Sequence, residues 1–251
     1  MSKQIRPFLS LIIPAYNEAD RLPATIQRIQ AHSRSWKFPF EVIIVVEPSE
    51  DRTLALAENA VKSWYDARVL TNHEKRGKGF AVRSGMQRAK GDLIFFTDAD
   101  LSTPLEDLDT ALALFAQDRS IDLIVGNRMH PESQILQRQN LSRESMGKVF
   151  NRIVQTLTGL RIRDTQCGFK GFRNRAAKEI FGRQRLDGFS FDVEILLLAR
   201  AMGFAIAELP VHWTNSEASH VHPVRDSTQM FFDVIRVRRL VKRSMYEFPY
   251  R

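Results

Sequence analysis

The stretch Leu93–Pro104, LIFFTDADLSTP, opens with four apolar residues and stops at two carboxylates, Asp98 and Asp100, separated only by Ala99. A short apolar run ending at a polar break reads as an interior strand of a parallel sheet, buried on both faces. The C-terminal ends of such strands open on the crevice where α/β folds bind ligands. Two carboxylates on a turn at that position can share one Mg2+ or Mn2+ with the diphosphate it carries, because these hard ions prefer carboxylate and phosphate oxygens. The competing reading is a solvated turn, since Asp-x-Asp alone is common. The rest of the chain has to decide between them.

The 251 residues are 43% hydrophobic, enough for one sizeable core, and a single domain is expected. A formal charge of +8 implies an anionic partner: a nucleotide diphosphate, a lipid phosphate, nucleic acid or a membrane surface. The single cysteine, Cys167, excludes an intrachain disulfide and suits a reducing cytosol. The apolar patch Phe8–Ile13 is cut by Pro14 and is too short for a signal h-region or a span, and no other segment is long enough. The expectation is a cytoplasmic protein, touching the inner face of a membrane, if at all, only by its surface.

Taken in order, the pattern alternates strands and helices. Leu9–Ile13 is a strand, followed by the loop Pro14–Glu18 and a helix carrying Leu22, Ile26 and Ile29 on one face. Glu41–Val46 is a second strand, followed by the loop Glu47–Asp51 and a helix from about Thr53 to Trp64. Arg68–Leu70, the loop 71–79 and a helix through Ala89 lead into the opening stretch. Leu105–Ala116 is helical, with Pro104 at its first position. Strand Ile121–Val125 ends in Gly126-Asn127-Arg128, and a polar, aperiodic loop then runs over the crevice to about Leu141. A helix over 142–158, a half-buried edge strand over Asp164–Lys170, a helix over Phe191–Met202, a strand over Phe204–Trp213 and a helix over Asp226–Arg243 complete the chain. The fold class is α/β, with a mostly parallel central sheet covered by helices on both faces. Within it, 1–127 reads as a nucleotide-binding half, 128–225 as an acceptor-side half, and about 226–245 as a basic amphipathic helix. That helix either lies on an anionic bilayer or packs its apolar stripe on the core.

The loops after the first, second and fourth strands converge. A base and ribose lying across them would meet the Tyr16 ring and the carboxylates Glu18, Glu47 and Asp98, with Asp100 beside the phosphates. Lys75, Arg76 and Lys78, set among Gly77 and Gly79 at a helix start, offer charge and close backbone approach to the anion, unless they form a solvated turn. Arg128, Arg138, Arg143 and Arg225 are candidates for clamping phosphate oxygens. His220 and His222 could meet an acceptor phosphate or lie in solvent. Cys167 reads as a buried thiol.

Four motifs in this order, Ile12-Ile13-Pro14-Ala15-Tyr16-Asn17-Glu18, Arg76-Gly77-Lys78-Gly79, Asp98-Ala99-Asp100 and Asp164-Thr165-Gln166-Cys167-Gly168-Phe169-Lys170, resemble family 2 glycosyltransferases of GT-A fold. The resemblance is to the dolichyl-phosphate β-glucosyltransferase and mannosyltransferase group and runs from about Leu9 to Trp213. It implies a sugar-nucleotide donor (UDP-glucose, or GDP-mannose), a divalent metal, inversion at the anomeric carbon and a polyprenyl phosphate acceptor. It also implies that Pro14, Ala15, Tyr16, Glu18 and Glu47 hold the nucleoside with Lys78 and Ala99 nearby, and that Asp98 and Asp100 hold ribose and metal. Asp164, Arg128 and Arg143 would then form the catalytic set, with Arg138, His220 and Arg225 on the acceptor side.

The acceptor decides what Asp164 must do. A phosphate monoester is already ionised near neutral pH, whereas a sugar hydroxyl must lose a proton during attack. Asp164 is therefore a base for a hydroxyl or an orienting group for a phosphate; a third reading pairs it with Arg161 or Arg163 on a surface strand. Two departures stand out. Glu47-Pro48-Ser49 replaces a frequent Asp-Asp-Gly-Ser, and Leu101 replaces a frequent glycine after the paired aspartates. A basic nucleic-acid-binding protein is the alternative from another class, but it lacks an RNP-type strand or helix-turn-helix cue. No G-x-G-x-x-G follows the first strand and no P-loop motif is present, which sets dinucleotide oxidoreductases and P-loop enzymes aside.

Overall fold

The computed structural model describes the backbone of residues 6–137, 141–215 and 223–242, and side chains over the same ranges except 141–144, 146, 148, 223–228 and 242. The strands are β1 Leu9–Ala15, β2 Phe40–Val46, β3 Ala67–Thr71, β4 Leu93–Phe96, β5 Leu123–Asn127, β6 Gln134–Gln137, β7 Lys170–Arg173, β8 Ile206–Pro210 and β9 His212–Thr214. The helices are α1 Leu22–Ser33, α2 Thr53–Val61, α3 Lys78–Arg88, α4 Leu105–Gln117, α5 Leu141–Thr158, α6 Asn174–Arg183, α7 Phe191–Ala201 and α8 Pro223–Lys242. Seven strands form one sheet in the order β3-β2-β1-β4-β7-β5-β8, and β6 pairs with β9 in a small second sheet.

The sheet divides the apolar residues by parity, as a period of two requires. Along β1, Leu9, Leu11, Ile13 and Ala15 face the core under α1, α2 and α4, while Ile12 faces the core under α3, α6 and α7. Phe95 and Phe96 split in the same way, to Phe115 and Phe169 on one side and to Phe172, Phe181 and Phe191 on the other. Both faces are covered, which is why these strands read as unbroken apolar runs.

Pro14 and Ala15 finish β1 and are buried, so the crevice loop proper begins at Tyr16. Proline is tolerated here because pairing with β4 ends at Ile12 opposite Phe96. Pro14 shares the β4-facing side with Ile12 and lies beyond the last β1–β4 pair, where no ladder bond requires its N–H.

Several expectations need correction. The segment 164–169 is not an edge strand: it is irregular, largely buried backbone, and β7 begins only at Lys170. That strand lies inside the sheet and runs antiparallel to both β4 and β5, the exceptions among otherwise parallel pairs. The single strand expected over Phe204–Trp213 is two, since β8 pairs with β5 whereas β9 leaves to pair with β6. The loop beyond Arg128 is not wholly irregular, because β6 lies in it. Helix α6, whose Ala176, Ala177, Ile180 and Phe181 are buried, had no counterpart in the expected pattern. Pro104 caps α4 from outside instead of occupying its first position. In α8, Val234 and Val237 pack on the core, while Phe231, Phe232, Arg236 and Arg239 are exposed. Among the described residues, no helix is long and apolar enough to cross a membrane.

Candidate active site

The Asp98–Asp100 turn closes with the Leu101 amide donating to the Asp98 carbonyl, and the Ser102 amide donates to Asp100 Oδ1 at 2.9 Å. Its exit residue, Leu101, has φ +49°, the left-handed region that a glycine enters without cost. A glycine would adopt this backbone without strain. Leu101 offsets strain of about 1–2 kcal/mol by burying its side chain in the core under α1 and α4. Thr25 Oγ1 donates to the Ala99 carbonyl at 2.5 Å, tying α1 to the middle of the turn.

Asp98, Glu18, Asp100 and Asp164 each stand beside a basic side chain. Lys78 Nζ lies 2.5 Å from Asp98 Oδ1. Burial alone would lower the Lys78 pKa, but Asp98, Asp192 and Asp100 outweigh it and hold it above the usual lysine range. Arg21 forks Glu18 through Nε and Nη2 at 2.7 and 2.8 Å, and its Nη1 stands 4.0 Å from Asp100 Oδ2. Arg128 forks Asp164 through Nε and Nη2 at 2.6 and 2.8 Å, its own amide adds a third bond, and its guanidinium lies over the Trp213 ring at 5.4 Å.

Asp164 is fully buried. Burial pushes its carboxyl up, yet the charge and hydrogen bonds of Arg128 prevail and hold it below the ordinary carboxylate range. The stability this pairing adds is in force above about pH 4 and is lost as pH falls through the depressed value. Arg128, 36 residues away in sequence, is thus the partner, and neither Arg161 nor Arg163 is. Cys167 is buried as expected, and burial pushes its thiol up to about 11.

Two of the expected ligand-facing groups already have partners within the chain. Glu47 is buried with both oxygens engaged: Oε1 accepts from Asn72 Nδ2, and Oε2 accepts from the Arg76 and Gly77 amides at 3.0 and 2.7 Å. It caps the basic turn, and glutamate has the reach to do so. The same bonds occupy backbone amides that were expected to approach the anion, and the Phe80 amide is taken by the Asp187 carbonyl. Arg76 is forked onto Asp187, and Lys75 bonds Tyr16 Oη while lying over the same ring. Of the basic turn, the Lys78 side chain is what meets the carboxylate pair. Arg138 and His220 lie outside the described residues, as do the side chains of Arg143 and Arg225. Sequence reasoning missed Arg21, Trp213 and Thr25. For Arg21 the only available signal was its place three residues after Glu18 and four before Thr25, one stripe at a helix start.

Gly168 is the floor beneath Asp98: a Cβ there would stand 1.9 Å from Asp98 Oδ2. Gly168→Ala is expected to push the carboxylate aside and cost about a hundred-fold in activity, with a thermal midpoint close to wild type. Turnover and melting curves measured together check this.

The model of glycosyl transferase family 2 matches residues 10–181, from β1 through most of α6. The chain belongs to glycosyl transferase family 2. Among curated relatives, the dolichyl-phosphate beta-glucosyltransferase of Drosophila melanogaster is 36% identical over 93% of this chain and 76% of its own length. The proteins of the same name from Dictyostelium discoideum and Homo sapiens are 34% and 32% identical, each over 92% of this chain and 74% of their own. Among solved structures, mannosyl-3-phosphoglycerate synthase from Rubrobacter xylanophilus superposes with a TM-score of 0.68 at 20% identity, covering 98% of this chain and 77% of that one. Glucosyl-3-phosphoglycerate synthase from Mycobacterium tuberculosis, crystallised with Mn2+, UDP and glucosyl-3-phosphoglycerate, gives 0.65 at 18% identity, covering 97% of this chain and 81% of that one. The fold is therefore of GT-A type and the protein is a glycosyltransferase.

A divalent ion fits this family 2 site. Among the described residues no three His, Cys, Asp or Glu side chains are grouped to hold a metal by themselves. Mg2+ and Mn2+ in nucleotide sites take only one or two protein carboxylates, the remaining positions going to phosphate oxygens and water. Each carboxylate offers about four lone-pair positions, so the bonds to Lys78 and Ser102 leave capacity on Asp98 and Asp100.

Proposed function

We propose that this glycosyltransferase moves glucose from UDP-glucose to a polyprenyl phosphate of the dolichyl type, with inversion at the anomeric carbon. The names of relatives more than 30% identical over most of the chain support the glucosyl group and the acceptor, and the UDP bound in a solved neighbour of the same fold supports the nucleotide. The observation that carries the acceptor class is Asp164. Both its oxygens are committed to Arg128 and its basicity is depressed, so it is a poor proton acceptor. An acceptor phosphate, already ionised near neutral pH, needs no base.

In this reading an acceptor phosphate oxygen bonds to the anomeric carbon while the bond from that carbon to the donor's β-phosphate oxygen breaks. The electron pair leaves on UDP. A divalent ion held by Asp98 and Asp100 would supply Lewis-acid stabilisation of that leaving diphosphate. Lys78 adds a fixed positive charge next to it. Arg128, braced by Asp164 and Trp213, presents a guanidinium to the incoming phosphate. Tyr16 and the loop after it take the nucleoside, once Lys75 moves off the ring.

The test is incubation of the protein with radiolabelled UDP-glucose, Mn2+ and a polyprenyl phosphate, scored by label entering the organic phase. Label in a mild-acid-labile glucosyl lipid is expected, and its absence alongside transfer to a saccharide hydroxyl would replace this reading. Asp164→Asn is expected to keep turnover within about ten-fold of wild type, whereas loss of a catalytic base costs up to about 10^4-fold.

A further inference from the structure

We infer that Arg21 is a positioning residue that makes divalent-ion binding at Asp100 conditional on a nucleotide diphosphate. The inference rests on the metal–donor reading of the crevice given above. Glu18, Arg21 and Thr25 form one stripe around the start of α1. Glu18 belongs to the nucleoside loop and is forked by Arg21, Arg21 stands beside Asp100, and Thr25 grips the carbonyl between the paired aspartates. One helix end thus ties the nucleoside loop to the metal turn.

The electrostatics give this link a direction. A guanidinium does not discharge at any physiological pH. With Arg21 Nη1 4.0 Å from Asp100 Oδ2, and both side chains only about a fifth exposed, a bare divalent cation arriving at that oxygen meets a fixed like charge with little water between them. Lys78 imposes the same condition on Asp98. A diphosphate reverses the balance, because its negative charge attracts the ion and both side chains together. A nucleoside that engages Glu18 also loosens the fork holding Arg21 away from the phosphates. The ion and the nucleotide therefore bind with positive coupling, which by linkage is reciprocal.

The test is titration of free Mn2+, followed by its paramagnetic resonance signal, with and without UDP, for wild type, Arg21→Gln and Arg21→Lys. In wild type, UDP is expected to tighten Mn2+ at least thirty-fold. Arg21→Gln should bind bare Mn2+ about three-fold more tightly and keep about a third of the UDP enhancement, the remainder coming from direct attraction of the ion by the diphosphate and from Lys78. Arg21→Lys, which retains the charge, should restore most of that enhancement and guards against a folding defect. Wild-type coupling retained in Arg21→Gln would overturn the role of Arg21 alone. Absence of UDP-dependent Mn2+ binding in wild type would overturn the metal–donor reading, and this inference with it.

Discussion

Asp100→Asn is expected to lower transfer by about a thousand-fold or more, the equivalent of roughly 4 kcal/mol in the barrier, the size of contribution a Lewis-acid metal makes. Asparagine keeps the oxygen that accepts the Ser102 amide, so the turn and its positive-φ exit at Leu101 survive. What disappears is a formal charge on the acid proposed to carry the ion. The side chain is partly exposed and has no bond to the core, so the melting temperature should move by less than about 2 °C. Asp98→Asn should be similar in activity, with an added effect on Lys78, which loses its partner at 2.5 Å. A kcat/KM for Asp100→Asn within ten-fold of wild type would remove the ion from the mechanism.

The second large effect is on folding. Lys170, the first residue of β7 and fully buried, donates to Asp192 Oδ1 at 2.5 Å and to the Cys167 carbonyl at 2.7 Å. Asp192 lies in the first turn of α7, and burial raises its pKa despite the attraction of Lys170 and Lys78. Removing one partner of a buried pair leaves the other charge uncompensated, so Asp192→Ala is expected to cost about 3–5 kcal/mol. For a chain of this size that lowers the melting temperature by on the order of 10 °C. The paired change Lys170→Met with Asp192→Leu should recover most of the loss, because two apolar side chains carry no desolvation penalty. Urea unfolding of wild type and the two variants checks this. A double variant no better than Asp192→Ala would mean that the charges are needed for the fold itself.

Part of this molecule was legible in one dimension. The strands β1, β2, β4 and β5 announce themselves because a parallel strand covered on both faces is an unbroken apolar run that ends where the crevice begins. For the same reason Asp98 and Asp100 stood out at the end of LIFF. By contrast, β7 is KGFR, four residues long and opening on a lysine, and nothing in that string says that the lysine is buried against a carboxylate 22 residues on. The β8–β9 division was hidden because Val211, between them, is as apolar as a continuous strand requires.

Within the site, residue types were readable and partnerships were not. Asp164 was singled out, but its partner Arg128 is 36 positions away, on another element. Glu47 looked like a base-recognition acid because its own loop shows no other use for it. Its capping of Arg76 and Gly77, 29 and 30 residues away, exists only after β2 and α3 are placed side by side. Arg21 looked like one of many solvated arginines, since the closeness of α1 to the metal turn is a property of the packed sheet.

The most direct measurement is a crystal structure of the protein with Mn2+ and UDP-glucose. The account predicts the ion on Asp98 and Asp100 carboxylate oxygens at about 2.0–2.3 Å, the diphosphate bridging it toward Lys78, and the base at the Tyr16 loop. A nucleotide bound away from that turn, or an ion held by neither aspartate, would contradict it.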